Sequence, residues 1–121
     1  MPRSVLEESR IHPAIRDKVA SSQLSIVKEV QAAVAQHAVV VLGMGMNPFP
    51  KKARTLLDDA GVAYHYIEYG NYFKLWRERN ALKMWTGWPT IPMIFVKGTL
   101  VGGADDLKKL LASGEFKKLL A

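Results

Sequence analysis

Val39-Val40-Val41-Leu42-Gly43-Met44-Gly45-Met46-Asn47-Pro48-Phe49-Pro50-Lys51-Lys52-Ala53 is the stretch on which the reading of this chain turns. Its first part, from Ala38 to Leu42, is a short continuous run rich in β-branched residues, which predicts a strand buried on both faces. A glycine-containing turn follows. Asn47 is a strong N-cap residue and Pro48 suits the first helical position, so a helix is expected to start there.

Outward from this stretch, the chain alternates. Downstream, the helix runs from Pro48 to about Ala60, turns Ala53, Leu56 and Leu57 to the core, and ends at a capping Gly61. Residues 62–67 alternate as a second strand, and 72–84 predict a third helix, rich in charge. Met93–Val96 and Thr99–Val101 read as strands joined by Lys97-Gly98, a tight hairpin signal. Residues 105–111 and about 116–120 close the chain as helices. Upstream, Leu24, Val27, Val30 and Val34 recur at helical spacing, so a helix covers about 23–36. Residues 1–22 form an N-terminal helical extension, in which His12-Pro13 starts a helix and Ile11, Ile15 and Val19 recur every four residues. Residues 1–121 are thus read as a single α/β domain, with a parallel βαβ unit, a β-hairpin and a closing helix.

Composition narrows the function classes. The chain has 121 residues, a formal net charge of +6 and no cysteine. Its basic residues are scattered and not interleaved with aromatics, so no nucleic-acid partner is expected. No apolar run reaches the roughly 20 residues of a membrane span. Residues 1–8 lack the apolar core of a secretory signal, and a cytoplasmic location is the expectation. His12, His37 and His65 show no ligand spacing. Met44 and Met46 near Met93 could suit Cu(I), but methionine is commonly adaptable core filler, so no metal site is expected. No Ser/His/Asp set and no phosphate loop appears.

Three segments in order, Asn47-Pro48-Phe49-Pro50, Trp88-Pro89-Thr90-Ile91-Pro92 and Val101-Gly102-Gly103-Ala104-Asp105-Asp106-Leu107, resemble the glutaredoxin family. Trp-Pro-Thr-Ile-Pro resembles its monothiol branch in particular. The resemblance spans about residues 24–121. It implies a thioredoxin-like fold of glutaredoxin type: a mixed four-stranded sheet flanked by helices. It also implies a glutathione groove. Pro92 matches the family's cis-proline, and Thr90 and Ile91 precede it. The Ile91 backbone would pair with the cysteine of glutathione. Gly103, Ala104 and the helix start beyond them would take its γ-glutamyl carboxylate, and Asp105 or Asp106 its ammonium. Arg79, nine residues before Trp88, stands where the monothiol branch clamps the glycine carboxylate. The alternative readings are plain capping for the aspartates and a solvated charge for Arg79.

The departures are chemical. Asn47 and Pro50 occupy the places of the family's cysteines, so there is no catalytic residue at either. An amide cannot exchange with a disulfide, and the chain is not itself a thiol–disulfide oxidoreductase. An iron–sulfur cluster held in the family manner would need one cysteine per subunit besides glutathione, so none is expected. Met44 stands about where a basic residue usually helps bind glutathione. The reading is a cysteine-free, glutaredoxin-like protein that binds glutathione or a protein at the cis-proline groove, in a role linked to cell redox homeostasis within an electron-transfer family. The alternative is an enzyme that uses bound glutathione as its thiol, with Asn47 or the Lys51 N–H polarising the sulfur. The Trp85–Trp88 loop and the extension are candidate protein interfaces, and a homodimer is among the open readings.

Overall fold

The computed structural model describes residues 2–121; Met1, within the expected extension, lies outside them. A short 3₁₀ turn at Glu8–Arg10 leads to α1 (Pro13–Ser21) and α2 (Leu24–Gln36). β1 (Val39–Gly43), α3 (Pro48–Asp59), β2 (His65–Glu68) and α4 (Trp76–Thr86) follow. β3 (Met93–Val96), β4 (Thr99–Gly102), α5 (Ala104–Ser113) and α6 (Glu115–Leu120) complete the chain. The strand order is β2-β1-β3-β4. β1 runs parallel to β2 and antiparallel to β3, with Val41 opposite Tyr66 on one side and Ile94 on the other. The β3–β4 hairpin closes through Lys97 and Gly98, both at positive φ, the combination that a two-residue hairpin turn favours.

Every residue of β1 is buried, which is why its sequence is a continuous apolar run. Alternate side chains feed two cores. Val40, Leu42, Met93 and Phe95 pack with Val30 and Ala33 of α2 and Leu82 of α4. Val39, Val41, Ile94 and Val96 pack on the other face with Ala53 and Leu57 of α3, Leu107 of α5 and Phe116 of α6. Each fully buried aliphatic side chain contributes roughly 1.5–3 kcal/mol relative to exposure. The residues between β1 and α3, and those leading into α5, emerge from this layer at one end.

Several elements differ from the sequence expectation. α4 starts four residues later than the expected 72, at Trp76. Asn71 Oδ1 accepts the Phe73 N–H at 2.8 Å, Asn71 and Lys74 pair backbone to backbone, and Gly70 and Leu75 lie at positive φ. This turn displaces the helix start. β2 begins at His65 rather than 62, because the Val62 N–H donates back to Leu57 O at the end of α3. The helix expected after His12-Pro13 is present as α1, and His12 Nδ1 accepts the Ala14 N–H at 3.0 Å. Its apolar repeat meets no core: α1 contains no buried residue, and Ile15 and Val19 are 46% and 52% exposed.

Two tyrosines tie stability to alkaline pH. Burial, and then the hydrogen bond to Glu68, push the Tyr66 phenol from 10.0 up to about 12. Burial and Glu29 also raise Tyr69. In the unfolded chain both phenols ionise near about 10. Their contribution is complete below that pH and is lost as pH rises toward 12, because the unfolded state releases its protons first. Urea midpoints measured from pH 9 to pH 12 are expected to fall, with a shallower slope in Tyr66→Phe. An equal slope in both proteins would contradict this assignment.

Candidate functional site

At the end of the sheet where β1 and β4 hand over to helices, a groove of about 540 Å³ opens. This volume lies within the roughly 300–1,000 Å³ usual for small-molecule sites. One wall is the start of α3, with Asn47, Pro48 and Phe49; the facing wall is the loop from Trp88 to Pro92. The start of α5, from Gly103 to Asp106, closes one end; Tyr72 and Lys83 stand at the rim, and Met44 also lines the cavity.

Asn47 joins the two walls. It is the N-cap of α3, and its Oδ1 accepts the Phe49 N–H at 3.0 Å. Its Nδ2 donates across the groove to the Ile91 carbonyl at 3.4 Å. The Ile91–Pro92 peptide is cis. Pro48 and Pro50 bring no N–H to the first turn, so Phe49 and Lys51 are the nearby donors there. Pro50 itself is buried and is not among the residues that line the cavity.

At the start of α5 the two aspartates have different partners. Asp106 Oδ2 accepts the Gly103 N–H at 3.0 Å, which is capping. Asp105 is exposed, and its Oδ1 meets Lys52 Nζ at 3.2 Å. With both side chains largely in water, that ion pair contributes little and is open to exchange. The N–H groups of Ala104 and Asp105 belong to the first turn of α5 and have no intrahelical partner, so they face the groove end as donors. Of the two glycines, Gly102 is the constrained one: its φ is +110°, and a Cβ there would lie 2.6 Å from Asp106 Oδ2. Gly103 is extended, and a Cβ there would meet Pro92 O at 3.6 Å and the Trp88 indole at 3.8 Å, ordinary contacts.

Thr90, Ile91, Pro92, Gly103, Ala104, Asp105 and Asp106 therefore converge on one groove, as their expected shared role requires. Arg79 does not join them. It is 6% exposed, and its Nη1 donates to Tyr69 O at 3.0 Å and to Lys74 O. The late start of α4 leaves the Lys74 carbonyl within reach of the guanidinium, and the side chain braces the Asn71–Lys74 turn. Lys83, one helical turn further along α4, reaches the groove instead. Its i,i+4 relation to Arg79 placed both on one helix face, and that was the available signal in the sequence. Phe49 and Tyr72 are further lining residues not singled out from sequence.

Two of the three histidines meet as rings, not as a ligand set. His37, just after α2, and His65, at the start of β2, stack with ring centroids 4.2 Å apart and planes 6° apart. The stack joins the end of α2 to the start of β2. No group of three or more His, Asp or Glu side chains gathers into a metal-binding cluster among the described residues. No helix among them is long and apolar enough to cross a membrane.

The architecture is the thioredoxin fold, with a groove between the first βα turn and the cis-proline loop. A family profile described as glutaredoxin matches residues 39–101. A glutaredoxin-like protein of Dictyostelium discoideum is 45% identical over 89 residues, covering 74% of this chain and 72% of that protein. The crystal structure of oxidized glutaredoxin 2 from Chlamydomonas reinhardtii superposes with a TM-score of 0.69 at 30% identity, over 82% of this chain and 94% of that one. A buckwheat glutaredoxin–glutathione complex has a TM-score of 0.71 at 24% identity, over 82% and 90% of the two chains, a likeness of fold. The chain belongs to the glutaredoxin family, and it carries no cysteine.

Proposed function

We propose that the groove binds glutathione as a recognition site, in a cytoplasmic, redox-linked role, without thiol–disulfide exchange by the chain itself. The observation that carries this reading is the convergence on one groove of both charge signs and the backbone of the cis-proline loop. The free N–H groups at the start of α5 suit a carboxylate, and exposed Asp105 suits the adjacent ammonium. Lys83 suits the second carboxylate, in the place expected of Arg79. The Ile91 backbone lines the same groove and suits the peptide. Membership of a family that binds glutathione supports the choice of ligand. The enzyme alternative has less support, since the Asn47 amide already donates to Ile91 O, which of the two expected donors leaves the Lys51 N–H to polarise a sulfur.

Calorimetric titration with glutathione tests the reading. Saturable heat is expected, weakened about 5- to 10-fold in Lys83→Ala and in Asp105→Ala, since a part-exposed charged hydrogen bond contributes roughly 1–1.5 kcal/mol. Titration with cysteinylglycine, which lacks the γ-glutamyl zwitterion, is expected to lose the Asp105 dependence. Absence of heat at millimolar glutathione would remove glutathione as the ligand.

A further inference from the structure

Beside the groove, and sharing Tyr72 and Phe49 with its lining, lies an aromatic knob. Phe73 is 79% exposed, Tyr72 58% and Trp76 53%, and the neighbouring Met46 and Phe49 are 63% and 50% exposed. The two loops that present them are stitched together: the Gly45 N–H donates to Gly70 O at 2.6 Å and the Tyr69 N–H to Gly43 O at 2.8 Å. Exposed apolar side chains scattered singly carry no message, but a contiguous group does.

This knob is braced rather than loose. The buried Arg79 guanidinium holds both ends of the turn through Tyr69 O and Lys74 O, and Asn71 Oδ1 holds the Phe73 N–H. Burying a guanidinium is unfavourable unless its partners are well placed. Here it fixes a segment whose own side chains point into solvent. Rigid presentation of aromatics lowers the entropy lost on association, a property of interface anchors.

The surrounding charge selects the occupant. Among the described residues, Lys74, Arg77 and Lys83 make no ion pair with a carboxylate; Arg77 lies over the Trp76 ring at 5.3 Å. Of the nearby carboxylates, Glu68 receives the Tyr66 hydroxyl, and Glu78 follows Arg77 in α4. The neutral phenol leaves the Glu68 charge in place, so the three cations stand against two carboxylates, and the aromatic face has a border of small net positive charge. A second copy of this chain, itself at +6, would bring like charge to like. A single-stranded nucleic acid would need open ring faces along a track of cations, whereas Arg77 already covers Trp76. We propose that the knob docks a segment of another protein that carries acidic residues beside aliphatic or aromatic ones. This surface borders the groove and shares Phe49, Tyr72 and Lys83 with it, but Phe73, Trp76 and Arg77 lie outside the groove lining, so the proposal stands whether or not glutathione binds.

The test is selection from a random peptide library displayed on phage, against the immobilised full chain, followed by affinity measurement on the enriched peptides as synthetic probes. Enrichment of peptides with net negative charge and apolar residues is expected. Their affinity should fall at least tenfold in Phe73→Ser and in Arg77→Glu, and should weaken with added salt. Both positions are on the surface, so thermal melts matching the wild type are expected to show that the variants remain folded. Neutral or basic enriched peptides, affinity unchanged in both variants, Phe73-dependent self-association, or tight oligo-dT binding lost in Phe73→Ser would each overturn the proposal.

Discussion

Asn47→Cys is expected to convert a chain with no exchange chemistry into one that releases a small thiol from its mixed disulfide with glutathione. The new thiolate bonds to the glutathione sulfur as the small thiol leaves, and added reduced glutathione then displaces the protein thiol and departs as oxidised glutathione. The position is the N-cap of α3, in extended conformation at φ −110° and ψ 123°, and it lines the groove. A thiol there would sit at a helix N-terminus, where the thiolate is favoured. The Phe49 N–H, now donating to Asn47 Oδ1 at 3.0 Å, would become available to the sulfur. Pro48 and Pro50 withhold their N–H groups, so the lowering of the thiol pKa should be smaller than at a helix start without prolines. Cysteine is nucleophilic even at a few per cent thiolate, so a gain on the order of 10²-fold or more over wild-type background is expected. Loss of the cap should destabilise the domain by about 1 kcal/mol. Asn47→Ser, of similar size but without a thiol, should stay at background. A folded Asn47→Cys protein with a titratable thiol and no exchange would mean that the groove does not bring glutathione to position 47.

Arg79→Ala is expected to be the most destabilising of the substitutions considered. The side chain is 6% exposed and satisfies the carbonyls of Tyr69 and Lys74. Truncation leaves both acceptors short of a donor in a poorly hydrated place, a loss of roughly 2–4 kcal/mol. That is a large share of the about 5–15 kcal/mol that stabilises a typical domain. Arg79→Lys should recover only part of it, because an ammonium lacks the planar fork. Lys83→Ala, at the groove rim, should change stability by less than about 0.5 kcal/mol while weakening glutathione binding. Urea unfolding and calorimetry on the same three variants separate the roles. A tenfold loss of glutathione affinity in Arg79→Ala with stability unchanged would return Arg79 to the clamp that its spacing before Trp88 implied.

The different fates of Arg79 and Lys83 show where linear reading stops. Both lie on α4, four residues apart, and spacing from Trp88 favoured Arg79. The choice between them was made by the turn at Asn71–Lys74, which moved the helix start to Trp76 and left the Lys74 carbonyl within reach of the guanidinium. The propensities of Tyr72 to Leu75 do not announce that turn. The stacking of His37 on His65 is likewise tertiary, since it joins the end of α2 to the start of β2. The exposure of the α1 repeat also depends on what the rest of the fold leaves unoccupied.

By itself the sequence determined the strand–helix order, the fully buried β1, the capped start of α3 and the absence of a thiol. These follow from local rules: a β-branched run, an Asn-Pro helix start, a Lys-Gly hairpin and a residue count. The three family segments, read in order, also singled out Thr90–Pro92 and Gly103–Asp106, which line one cavity. Only the tertiary structure decided which cation faces the groove, which aspartate is committed to capping and which is free to exchange partners. It also decided that the amide replacing the thiol ties the two groove walls together. The reason is physical. Backbone preferences act over a few neighbouring residues, whereas the partner of a charged or amide side chain depends on which carbonyl or carboxylate the packed fold brings within about 3 Å.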